Sequence, residues 1–116
     1  MKVEWKKTKY KNQERYELFI NDILTGEFSF DFVSNDQKIL LEAFEISSEL
    51  RGFGFSKILA LKINELLKTK YIDYILVIEC VPYNDKPLSE AKLASMYQKL
   101  FPGCIEVSKH LFHYMA

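Results

Sequence analysis

Between Ile46 and Leu59 the hydrophobic pattern of this chain changes period, and two glycines, Gly52 and Gly54, stand at the change. Before them, Ile39 to Ile46 reads as a strand. After them, from Ser56 to about Lys70, Leu59, Ile63, Leu66 and Leu67 recur at helical spacing, with Lys57, Asn64 and Lys68 on the opposite face. Ile72 to Val81 then runs nearly continuously apolar, the pattern of a strand buried on both sides. Strand, helix, strand predicts one right-handed crossover between parallel neighbours.

The flanking segments extend this unit on both sides. Tyr16 to Ile20 and Gly26 to Val33 are rich in aromatic and β-branched residues, and Asn21-Asp22 to Thr25-Gly26 between them carries turn formers, so they read as an antiparallel hairpin. A turn at Ser34-Asn35-Asp36-Gln37 leads into the strand at 39 to 46, giving a three-strand meander. Residues 1 to 15 hold six basic side chains against Glu4 and Glu14. They read as a solvated edge strand blunted by lysines, with a basic nucleic-acid arm as the competing reading. Val3, Trp5 and Tyr10 are not grouped like a stacking platform.

Beyond the crossover, Pro82 and Pro87 bracket a loop. Leu88 to Phe101 again has helical spacing through Leu93, Tyr97 and Leu100, and Pro102-Gly103 stops it. Ile105 to Val107 and Leu111 to Met115 suggest one or two closing strands. The fold class is therefore α+β, with a mixed central sheet, an antiparallel meander, a β-α-β crossover and two main helices. At 116 residues it reads as a single domain over 1-116.

Sixteen basic side chains balance sixteen acidic ones, so any anion binding must be local, and the balance argues against nucleic acid. No apolar stretch approaches a membrane span, and the start lacks the apolar segment of a secretory signal, which points to the cytoplasm. Cys80 and Cys104 are unclustered and read as reduced packing residues. His110 and His113 fall on opposite faces of a strand, which argues against a metal pair.

The chemistry is concentrated at the glycines. A strand-to-helix junction leaves backbone amides unpaired, glycine permits positive φ and close approach, and the helix dipole with Arg51 and Lys57 favours an anion. Two familiar phosphate loops fail here. Ser56 precedes Lys57 where a P-loop needs Lys then Ser or Thr, and Lys57 stands where the dinucleotide fingerprint needs its third glycine.

Arg51-x-x-Gly54-x-Ser56 resembles the central motif of the GNAT acyltransferases, Gln/Arg-x-x-Gly-x-Gly/Ala, with Ser56 departing from the usual Gly or Ala. The order of elements over roughly 37 to 115, including Ser95-Met96-Tyr97-Gln98-Lys99-Leu100 before Phe101-Pro102-Gly103, also resembles that family, although the two helices that usually precede the meander are reduced or absent. The resemblance implies acyl transfer, acetyl by default, from acyl-CoA to a primary amine in a ternary complex. It implies acetyl-CoA as cosubstrate and a small-molecule or protein amine as acceptor. Backbone amides of Phe53, Gly54, Phe55, Ser56 and Lys57 would hold the pyrophosphate, with Gly52 in the same cofactor loop and Arg51 nearby, and the Ser56 hydroxyl could cap the helix. The pantetheine arm would pair near Glu45 and Ile46 between splayed strand ends.

By the same resemblance Tyr97 would protonate the leaving thiolate. On the residues alone it reads equally as part of a core stripe. Glu42 is the leading base candidate, since apolar sequence neighbours would desolvate it; Glu45 and Glu79 follow. A non-catalytic coenzyme A-binding or interaction module of the same fold is the alternative, and an uncovered edge strand leaves a homodimer open.

Overall fold

The computed structural model describes residues 1–33, 36–80 and 89–116. Ser34 and Asn35 of the second turn, Val81, the loop from Pro82 to Pro87, and Leu88 at the start of the second helical segment lie outside them. Strands β1 (Val3–Tyr10), β2 (Gln13–Ile20), β3 (Ile23–Val33) and β4 (Lys38–Ile46) form an antiparallel meander. Helix α1 (Ser56–Lys68) then crosses to β5 (Ile75–Glu79), which lies parallel to β4. Helix α2 (Glu90–Leu100) and the hairpin β6 (Ile105–Ser108) and β7 (Leu111–Tyr114) complete a seven-stranded sheet of order β1-β2-β3-β4-β5-β7-β6.

Strand alternation explains which face is covered. On one face Tyr16, Phe28, Phe30, Leu41, Leu76 and Phe112 are buried beneath Leu59, Ile63 and Leu66 of α1 and Leu93 and Tyr97 of α2. The two helices touch each other there. Each fully buried Phe or Leu contributes about 1.5 to 3 kcal/mol of transfer free energy. No helix among the described residues covers the other face, where Glu17, Phe19, Leu40 and Val77 are only half-buried. The apolar run of β5 is thus buried on one side and half-buried on the other, not covered on both.

The first hairpin differs from its sequence reading. Its turn is the two residues Asn21 and Asp22, both at positive φ (50° and 67°), a geometry that matches the twist of the flanking strands. Thr25 and Gly26 lie inside β3 and are buried. Gly26 serves close approach: a Cβ there would stand 2.8 Å from Ile46 Cδ1 and 2.9 Å from the Glu45 carbonyl oxygen. Gly26→Ala is therefore expected to cost about 1 to 3 kcal/mol, read from urea unfolding, because β4 cannot withdraw without breaking its pairing with β3.

The basic first segment is an edge strand. Its residues alternate faces, so Trp5, Lys7 and Lys9 point to the helix side and Lys6 and Tyr10 to the other. Trp5 packs edge-on against Phe28 at 5.8 Å with Lys62 over its ring. Trp5 and Tyr10 therefore lie on opposite faces of the strand.

One buried charge went unread in the sequence. The Glu14 carboxylate, on the helix side of β2, accepts hydrogen bonds from the hydroxyls of Tyr16 (3.0 Å) and Tyr71, with Lys7 and Lys70 Nζ each at 3.5 Å. Burial alone would raise this carboxyl, but the two tyrosines and two lysines outweigh it and hold it below the usual range. Burial and the same carboxylate push the Tyr16 phenol up to about 12. The cluster ties β1 and β2 to the C-terminal end of α1.

Candidate active site

The junction before α1 has the geometry its glycines suggested. Gly52 and Gly54 are at φ +88° and +82°, and a Cβ on either would meet nothing within 4 Å. Phe55 is the N-cap with no side-chain cap, and Ser56 is the first helical residue, so its hydroxyl does not cap the helix as expected. The Lys57 amide is turned inward to the Gly54 carbonyl at 3.2 Å, which takes it out of the anion-binding set. Among the described residues the amides of Phe53, Gly54, Phe55 and Ser56 make no backbone hydrogen bond. No acidic residue stands in the first turn, so the positive end of the helix is unopposed.

Arg51 does not reach over this loop. Its Nε donates to the Ile46 carbonyl at 3.1 Å, and its guanidinium pairs with Glu45 at 3.4 Å. It clamps the end of β4 to the start of the loop and fixes how the loop leaves the sheet.

Beside the loop the sheet opens. Among the described residues β4 and β5 pair at Lys38–Ile75, Ile39–Leu76 and Leu40–Val77, after which β4 continues to Ile46 paired with β3. The separation coincides with a β-bulge, where Ser29 faces Ala43 and Phe30 faces Leu41, so that Glu42 falls at the shift of register. Bulges bend a strand and re-aim side chains. Here the bulge leaves Glu42 exposed, and the desolvation expected from its apolar sequence neighbours does not occur.

Tyr97 lies on the helix side of this opening, 9% exposed, with its ring centroid 5.6 Å from that of Phe44. Phe44 belongs to the part of β4 that has left β5. Glu45 is half-buried near the end of β4, and Glu79 is exposed at the end of β5. Cys80 is buried in the core, and burial, then the charges of Cys104, Glu106 and Glu90, push its thiol up to about 11, which disfavours the thiolate.

The sequence reading missed a polar pair at the same end of the sheet. His110 Nδ1 is 2.9 Å from Glu90 in the first turn of α2, the His110 amide donates to Glu106 at 3.0 Å, and its carbonyl accepts from the Cys80 amide at 3.0 Å. Twenty residues separate His110 from Glu90, so no local spacing announces the pair. Only the positive φ of His110, 58°, at a hairpin turn is a local feature, and histidine is a residue that tolerates it.

No protein-family model matches the sequence, and no curated protein matches it either. Solved structures do. An acetyltransferase of Bacillus subtilis in complex with CoA superposes with a TM-score of 0.62 at 17% identity, over 85% of this chain and 75% of its own. A spermidine/spermine N-acetyltransferase of Vibrio cholerae gives 0.65 at 13% identity, over 90% of this chain and 64% of its own. A GNAT-family acetyltransferase of Staphylococcus aureus gives 0.59 at 13% identity, over 90% and 67%. This chain has the fold of the GNAT acetyltransferases, and it spans between about two thirds and three quarters of these neighbours' lengths.

Proposed function

We propose that the chain transfers an acyl group, acetyl in the first instance, from acyl-CoA to a primary amine by direct attack in a ternary complex. The observation that carries this reading is the adjacency of two features: a positive-φ glycine loop at a helix start, and a sheet that opens between β4 and β5 immediately beside it. A loop of that kind suits a diphosphate. An opening with strand backbone along one side suits an arm containing amides. Coenzyme A has both parts, and the Bacillus subtilis neighbour was solved with it.

In this reading the amides of Phe53, Gly54, Phe55 and Ser56 hold the pyrophosphate, with Gly52 setting the turn and Lys57 adding its charge. The backbone of Glu45 and Ile46 orients the pantetheine arm, with the Ile46 carbonyl already committed to Arg51. The acceptor approaches from the sheet face that carries no helix among the described residues. Glu42, exposed at the shift of register, takes a proton from the acceptor ammonium, directly or through water, and the amine attacks the thioester carbonyl. As the carbon–sulfur bond breaks, Tyr97 donates its hydroxyl proton to the leaving thiolate and recovers one from solvent. The second amine proton leaves to water, giving amide and coenzyme A thiol. The open acceptor side favours a protein terminus, a lysine or another exposed amine.

An acetyl-CoA assay over a panel of amines and peptides tests this. Tyr97→Phe is expected to lower kcat by about 100-fold, the order of one lost acid–base contribution, with acetyl-CoA affinity unchanged. A parent that binds but transfers to no amine would leave the fold as a non-catalytic coenzyme A module.

A further inference from the structure

Of the nine phenylalanines, all within the described residues, Phe53 alone is exposed, at 72% of its surface. A single exposed apolar side chain needs no explanation. This one stands at a particular place. It lies between the two positive-φ glycines, on the solvent side of the loop assigned above to the diphosphate. Its ring centroid is 6.4 Å from that of Phe55, with the planes tilted by 40°. Phe55 is half-buried and packed on the core, so it backs Phe53 without covering it.

The ligand's own chemistry gives this ledge an occupant. A diphosphate held at the amides of residues 53 to 56 has two ends. One runs into the opening between β4 and β5. The other, carrying a ribose and a purine, remains at the loop's solvent side, within one sugar of the phosphates. A flat, exposed aromatic ring there offers a π-face to a base without hydrogen-bond selectivity.

We propose that the Phe53 ring, supported by Phe55, is the stacking platform for the adenine of acyl-CoA. This rests on the acyl-CoA reading and adds a side-chain contact to a loop otherwise argued from its backbone. Phe53 is not at positive φ, so replacing it leaves the loop conformation available.

The test compares two ligands that share the phosphopantetheine arm, coenzyme A and 4′-phosphopantetheine, by calorimetric titration. Phe53→Ala is expected to weaken coenzyme A about tenfold, the order of one base–aromatic stack, and to leave 4′-phosphopantetheine affinity unchanged. Phe53→Tyr is expected to retain parent affinity for both. Equal weakening of both ligands by Phe53→Ala, or of neither, would overturn the stacking role while leaving the acyl-CoA reading intact. A folded parent that binds neither ligand would overturn both.

Discussion

Replacing Gly54 by Gln is expected to lower affinity for acetyl-CoA by more than about 100-fold while the protein stays folded. Two effects act together. Gly54 sits at φ +82°, where a side chain costs roughly 1 to 2 kcal/mol of backbone strain, and relief of that strain would turn the neighbouring amides away from a common target. The space above Gly54 holds no atom within 4 Å of a Cβ, so glutamine meets no clash in the unliganded chain. It would instead occupy the volume that a pyrophosphate needs. A stability loss of that size leaves most domains folded, so unchanged far-ultraviolet circular dichroism with absent binding heat is the predicted combination. Unchanged affinity would mean that the glycines form only a turn.

Glu14→Ala is expected to lower stability by about 3 kcal/mol. Removing the carboxylate strands the hydroxyls of Tyr16 and Tyr71 and two lysines that converge on one buried point. For a domain of this size that corresponds to a melting temperature lower by roughly 10 to 15 °C. The pH dependence follows from the direction of the shift. Because the folded carboxyl is held below its unfolded value, its contribution is complete above about pH 4.3 and is lost as pH falls through the lower folded value. The difference between parent and variant should therefore be full at pH 7 and shrink below about pH 4. A difference constant down to pH 2.5 would show that the carboxylate is not what the cluster holds.

Periodicity and punctuation made most of the architecture legible. The change from strand to helical spacing across Gly52 and Gly54 marks α1, and the apolar run after it marks β5, because a crossover leaves little choice of partners. The errors fall where sequence neighbours are poor guides to spatial ones. Thr25-Gly26 looks like a turn, yet Gly26 is required by the approach of Glu45 and Ile46 from another strand. Glu42 lies among apolar residues, but a one-residue bulge turns it outward, and nothing local encodes that bulge.

Polar partnerships were the least legible. Glu14 meets Tyr71 across 57 residues and His110 meets Glu90 across 20, so each exists only once the sheet and helices are assembled. Arg51, expected as a cation beside the pyrophosphate, donates to the Ile46 carbonyl and pairs with Glu45, contacts that no local spacing announces. The glycine loop was readable because its requirement is for backbone freedom, which residue type reports directly.

The glycine loop and the opening between β4 and β5 are proposed as one site for acyl-CoA. Mapping backbone amide shifts of the parent on titration with acetyl-CoA tests it directly. Saturable changes are expected to concentrate at residues 52 to 57, at Glu45 and Ile46, and at the end of β5, with the Glu14 cluster unmoved. Absence of shifts in a folded sample, or changes centred away from the loop, would contradict it.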